Sequence, residues 1–214
     1  IEQRYGVPRE IVLAVWAMES SFGKIQGDMD VVRSLATLAA DGRRRAWAEG
    51  ELIAALKIIG SGEAPRVRLK GSWAGAFGNP QFLPSVYLRL AVDGDRDGDH
   101  DIWNSDVDTL HSVANYFRDA GWRTGQPWGV RALVPASLDR DAIVNQVTSP
   151  VCPRVHGRHS QWKTVREWRA LGVVPLAPVN DSVLATLIEP DGPGKNAWLL
   201  TGNYRVILQY NCSN

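Results

Sequence analysis

The chain has 214 residues, 44% of them apolar, with nine Trp and a formal net charge of +1. This length and composition allow a sizeable buried core, as one large or two small domains, and argue against a disordered chain. The near-zero charge supplies no global basic field for nucleic acid, and no apolar run approaches the ~20 residues of a membrane span.

The first predicted helix covers 8–22. Pro8, Arg9 and Glu10 open it and Gly23 ends it. Ile11 to Met18 is an unbroken apolar run, the pattern of a helix buried on all sides. At helical spacing Val12, Val15 and Trp16 share a face with Glu19. That pattern carries a carboxyl group into apolar surroundings, where desolvation raises its pKa. A carboxyl that keeps its proton near neutral pH is what a general acid needs. The alternative is a Glu at the frayed end of a core helix, pointing to water.

Two further helices are predicted over 31–40 and 43–59, from the apolar spacing of Val31, Leu35 and Leu38 and of Leu52, Leu56 and Ile59. The run Arg43-Arg44-Arg45 reads as a solvated helix face. A loop follows from Gly60 to Gly71. The stretch Gly71 to Ser85 combines small residues, which allow close backbone approach, with Gly and Pro, which break regular structure. A short helix is predicted over 85–92. Another covers 106–120, capped near Ser105 and ended by Gly121.

Between these two helices lies an acidic loop, and seven of the fifteen Asp fall in residues 93–108. Asp93, Asp95 and Asp97 alternate ahead of Gly98, as at the start of an EF-hand calcium loop. Asp99 would offer its backbone carbonyl and Asp101 would act through water. Asn104 stands where the pattern has a bidentate Glu, so Asp106 or Asp108 is expected to close the site. Many flexible oxygen ligands favour Ca²⁺ over Mg²⁺. The alternative is a solvated acidic loop, whose carboxylates would repel one another without a cation.

After Pro127 short strands are predicted at Val130–Val134, Val183–Ile188, Trp198–Thr201 and Tyr204–Gln209, with a helix over 163–171. The fold class is therefore α+β, mainly α, with a helical region over 1–126 and a smaller α+β region over 127–214. Cys152 and Cys212 allow one disulfide between distant segments or two buried thiols, and no Cys/His cluster supports zinc. A start at Ile1, without Met or a signal sequence, is expected of a piece of a longer protein.

Four ordered motifs carry a resemblance. They are Ala17-Met18-Glu19-Ser20-Ser21-Phe22-Gly23; Lys70 to Gly78 with Gln81-Phe82-Leu83-Pro84-Ser85; the acidic loop with Ser112 to Tyr116; and Asn203 to Ile207 with Tyr210-Asn211-Cys212-Ser213. Together they resemble the membrane-bound lytic murein transglycosylase B family, glycoside hydrolase family 103, along the whole chain. The resemblance implies a lysozyme-like helical core that cleaves the β-1,4 bond between N-acetylmuramic acid and N-acetylglucosamine in peptidoglycan. It implies Glu19 as the acid and then the base. Ser72 would lie by the reacting sugar or by Glu19. Phe77, Gln81 and Tyr116 would line sugar subsites, and Tyr210 and Asn211 would complete the cleft.

The amides of Gln81 and Asn211 suit acetamido groups, and Tyr116 and Tyr210 suit sugar faces, although core packing is the alternative for both Tyr. Metal ligands are expected from Asp93, Asp95, Asp97, Asp99, Asp101 and Asp108. Peptidoglycan strands are the expected partner of a monomeric enzyme in the periplasm or envelope of a Gram-negative bacterium, with a lipid anchor outside this chain compatible with the resemblance. Ordinary glycoside hydrolysis uses two carboxylates. A single Glu instead points to attack by the muramyl 6-hydroxyl and a 1,6-anhydro product. The competing readings are a hydrolytic muramidase and a non-catalytic, calcium-stabilised glycan-binding module. A calcium sensor is poorly supported by one loop and scarce Met.

Overall fold

A computed structural model describes residues 1–147, 156–157 and 159–210. Asn211, Cys152 and Cys212, with the disulfide they would form, lie outside the described residues. The chain divides into two units, residues 1–119 and 120–214.

The first unit is helical. Helix α1 spans Glu2–Tyr5 and α2 spans Arg9–Ser20, with Pro8 at the N-cap of α2. Strand β1 (Met29–Asp30) leads into α3 (Val31–Asp41), and the Asp30 side chain caps it by accepting from the Arg33 N–H at 2.9 Å. Helix α4 (Arg45–Ser61) packs on α3, and Leu35, Ala55 and Ile58 are fully buried. Strand β2 (Lys70–Gly71) pairs antiparallel with β1, Met29 against Gly71 and Asp30 against Lys70. Helices α5 (Pro84–Leu90) and α6 (Asp106–Asp119) complete the unit.

Helix α2 is not buried on all sides. Val12, Val15 and Ser20 are buried, whereas Leu13 and Met18 are exposed. Its neighbour is α6, and one helix can cover only one stripe of another.

Among the described residues the second unit carries a five-stranded antiparallel sheet flanked by helices. The strands are β3 (Gly129–Leu133), β4 (Trp162–Thr164), β5 (Val174–Pro175), β6 (Leu184–Ile188) and β7 (Trp198–Thr201), in the order β4-β6-β7-β3-β5. Helix α7 (Val165–Ala170) starts on a capping box between Thr164 and Glu167. It carries Trp168, fully buried, whose Nε1–H donates to the Ala185 carbonyl at 2.9 Å. Val130, Ala132, Val165, Ala185, Leu187 and Leu199 pack in the same core.

The stretch expected as a strand at 204–209 is helix α8 (Gly202–Tyr210). Its apolar and aromatic residues fit a strand locally, but the bonds at its start decide. Thr201 Oγ1 accepts from the Asn203 N–H at 3.2 Å, and the buried Asn203 side chain bonds Arg123 and Gln126. No helix among the described residues is long and apolar enough to cross a membrane.

His159 is buried in this unit, its ring edge-on to His156 at 5.2 Å and to Tyr204 at 5.6 Å. Burial pushes the His159 imidazole down to about 4, and His156 adds to the effect. Burial also lowers His156, with Arg205 contributing. The unfolded chain takes up a proton near pH ~6.5, so this contribution is present above that pH and is lost as pH falls toward about 4. The thermal midpoint of the second unit should therefore drop between about pH 7 and about pH 5. His159→Phe should flatten that dependence in a calorimetric pH series.

Candidate active site

Glu19 sits half-buried on the last turn of α2. The chain turns sharply after it. Ser21, Phe22 and Gly23 take φ values of 51°, 58° and 82° in succession. Two left-handed non-Gly residues in a row are costly and persist only where the surroundings over-determine them. Here the Ser21 N–H donates to the Ala17 carbonyl at 2.9 Å, the Gly23 N–H donates to Ser20 Oγ at 3.0 Å, and the Phe22 ring meets Trp16 edge-on at 5.4 Å. Gly23 admits no side chain, because a Cβ there would lie 2.6 Å from Asn79 Oδ1.

Asn79 is almost completely buried and bonds in three directions. Its Oδ1 accepts from Gln26 Nε2 at 2.8 Å, its Nδ2 donates to Thr109 Oγ1 at 3.2 Å, and its backbone N–H donates to the Ile102 carbonyl at 2.8 Å. Gln26 Nε2 also reaches the Trp103 carbonyl at 2.8 Å. One amide thus ties the segment after Glu19, the turn at 77–82, the acidic loop and α6 together.

Ser72 closes the turn at 72–76, its Oγ accepting from the Ala76 N–H at 3.1 Å. Phe77 corrects the expectation of a subsite residue. It is fully buried, stacked on Trp103 at 5.4 Å and tilted against Tyr87 at 5.7 Å, so its ring fills core. Gln81 has φ 51° and spends its Nε2 on the carbonyls of Gln26 (3.0 Å) and Gly78 (2.9 Å). Tyr116 is half-buried beside Phe82 and Phe117, each at 6.0 Å, and burial pushes its hydroxyl pKa up. Tyr210 is half-buried at the end of α8 in the second unit.

Glu51 is a site residue that the sequence does not single out. It is buried, and its carboxylate accepts from the Ser85 N–H at 2.9 Å and from Ser85 Oγ at 2.7 Å, closing the start of α5. Its signal was available. It falls on the helical stripe of Ala48, Ala55 and Ile58, which α4 buries. Asn79 and Gln26 gave no comparable signal.

In the acidic loop, Asp93, Asp95 and Asp108 each place a ligand atom within 4.8 Å of the others. Asp108 is buried and accepts from the backbone N–H groups of Gly94 at 2.7 Å and Asp101 at 2.8 Å. Burial pushes its carboxyl above the usual range, Asp95 adds to this, and the two backbone donors oppose it. Gly98 makes the sharp turn at φ 103°. Asp97 and Asp99 accept from backbone N–H groups along the loop. For Asp101, burial raises the pKa, but donors from Asn104 and Trp103 and the charge of Arg68 outweigh it and hold the carboxyl low. Three loop carboxylates therefore form a cluster that one hard cation could fill.

The family model described as Transglycosylase SLT domain matches residues 1–214. The chain is 33% identical over 213 residues to membrane-bound lytic murein transglycosylase B of Escherichia coli (strain K12), covering 99% of this chain and 54% of that protein. It is similar to SltB3 of Pseudomonas aeruginosa, solved in complex with NAG-anhNAM-pentapeptide, with TM-score 0.85, 40% identity, and coverage of 98% and 54% of the two chains. It is also similar to Escherichia coli Slt35 solved in complex with calcium, with TM-score 0.81, 32% identity, and coverage of 99% and 63%. The chain spans about half the length of the curated relative it matches. It belongs to the transglycosylase SLT domain family, and its mainly helical α+β fold is that of lysozyme-like lytic transglycosylases.

Asn79→Ala removes the central amide and with it one hydrogen bond each of Thr109 and Gln26, which keep the Ile102 and Trp103 carbonyls. It should cost about 1–3 kcal/mol in urea unfolding of the first unit, at about 0.5–1.5 kcal/mol for each of the two hydrogen bonds lost.

Proposed function

We propose that this member of the transglycosylase SLT domain family cleaves peptidoglycan strands by a single-carboxylate lytic transglycosylase mechanism. The observation that carries the reading is the disposition of carboxylates in the first unit. Outside the acidic loop, the other acids that are not exposed are held by structural partners: Glu2 by Arg9, Asp30 by Arg66, and Glu51 by the start of α5. Each is thereby drawn away from the part of a second catalytic carboxylate. Glu19 stands on the strained helix end, on the motif through which the chain resembles its family.

Glu19 protonates the glycosidic oxygen as the bond to C1 of muramic acid breaks. The neighbouring acetamido carbonyl stabilises the cationic carbon. Glu19, now ionised, takes the proton from the 6-hydroxyl of the same sugar as that oxygen attacks C1. The products are a strand with a free 4-hydroxyl on N-acetylglucosamine and a 1,6-anhydromuramyl end, with no water consumed. The Gln81 Nε2 is committed, so its Oε1 is the atom offered to an acetamido N–H, and Tyr116 offers a ring face. A substrate in the cell wall places the activity in the bacterial envelope.

We also infer that Asp93, Asp95 and Asp108 hold a structural Ca²⁺. The fit rests on three converging carboxylates and on burial of Asp108, whose charge a cation would compensate. The ion would fix the loop whose Ile102 carbonyl anchors Asn79, and it takes no part in proton transfer.

Mass spectrometry of products from purified peptidoglycan tests the chemistry. Anhydro ends, lighter by one water and resistant to borohydride, are expected from the wild type, and Glu19→Gln should fold and release none. Reducible products would make the chain a hydrolase. Calorimetry tests the ion. Ca²⁺ at about a hundred times its Kd should stabilise the first unit by about 2.7 kcal/mol. Asp95→Asn should weaken that gain, and Mg²⁺ should give less.

A further inference from the structure

A concavity of about 610 Å³ in the first unit lies along β1 and the start of α3, outside the residues assigned above to the sugar. Its lining includes Asp28, Met29, Arg33, Ser34 and Trp73. We propose that it is a recognition pocket for the stem peptide that muramic acid carries, with Trp73 and Arg33 as its specificity residues; this rests on the peptidoglycan reading above.

Trp73 is 65% exposed and Met29 is 51% exposed, two large apolar side chains left uncovered on one concavity. The exposure of Trp73 is built in by the backbone. Gly75 has φ 87°, and a Cβ there would lie 2.7 Å from Leu35 Cδ2, so the turn at 72–76 packs directly on α3. That contact brings the Trp73 indole alongside the helix that supplies Arg33 and Ser34.

The rim carries both signs of charge, and the Arg33 N–H, followed by Arg66 and the Arg33 charge, holds the Asp30 carboxyl low. Among the described residues neither Arg33 nor Asp28 forms an ion pair, whereas Asp30 is engaged by Arg66 at 3.0 Å and by the cap of α3. Thr37 Oγ1 turns back to the Arg33 carbonyl at 2.9 Å, which leaves Ser34 as the hydroxyl for a ligand. A guanidinium and a carboxylate flanking an indole and a thioether match a short peptide with free carboxylates, a free amine and small apolar side chains. A neutral sugar needs neither charge.

The location agrees. Trp73 follows Ser72 directly, and Met29 pairs with Gly71, so the pocket begins one residue from Ser72, which the family resemblance puts by the reacting sugar or by Glu19. A substituent on that sugar has only a short distance to travel. The SltB3 complex carries its pentapeptide on the anhydro-muramyl unit.

The test is amide and indole NMR of the isotope-labelled chain, titrated with the free stem pentapeptide and separately with an N-acetylglucosamine tetrasaccharide. The pentapeptide should shift the Trp73 indole N–H and the amides over 28–38, and Arg33→Glu should abolish those shifts. No shift at millimolar pentapeptide, or the same shifts with the sugar alone, would overturn the proposal. The kinetic companion is kcat/KM on peptide-bearing strands relative to amidase-stripped strands. Trp73→Ala should lower that ratio about tenfold; an unchanged ratio would overturn the proposal. The NMR arm needs no turnover. A wild type that binds pentapeptide here yet cleaves nothing would sink the cleavage reading and leave the pocket standing.

Discussion

The buried side chain of Asn79 holds the first unit in its working arrangement. Its amide is the common partner of Gln26 and Thr109, and its backbone takes the Ile102 carbonyl. A buried polar group is stabilising only when fully satisfied, so each of these segments constrains the others. The constraint reaches Glu19 through Gly23, whose missing side chain lets Asn79 approach. The strained residues Ser21 and Phe22 persist because the chain on both sides is fixed in this way.

The same network ties the acidic loop to the segment that follows Glu19. Ile102 and Trp103 lie at the end of the loop, and their carbonyls hold Asn79 and Gln26. Asp108 reaches back from α6 to the N–H groups of Gly94 and Asp101, so both ends of the loop are gathered at one carboxylate. A cation there would stiffen the loop and, through Ile102, the turn that carries Gln81.

In the second unit one aromatic residue does a comparable job. Trp168 is enclosed by both faces of its surroundings, α7 on one side and the inner sheet residues on the other, and its N–H is matched to Ala185. Matching the N–H matters because a buried donor without a partner would offset much of the gain from burying the ring.

Most of the helices and the strand at 198–201 were legible in the sequence, because apolar spacing and the Gly, Pro and Ser boundaries act over a few residues. The acidic loop was legible for the same reason: alternating Asp followed by Gly98 is a local pattern, and so was the motif around Glu19. What the sequence left undecided depended on partners far along the chain. Phe77 reads as a plausible contact residue until Trp103 and Tyr87 close over it. The stretch at 204–209 has strand-like residues, yet Asn203, held by Arg123 and Gln126, starts a helix there. Helix α2 reads as buried all round, but how many of its faces are covered depends on the helices that arrive beside it. Local pattern determined which segments form and which residue types carry the chemistry. Tertiary structure alone decided burial and hydrogen-bond partners, because both arise between groups whose distance in sequence says nothing of their distance in space.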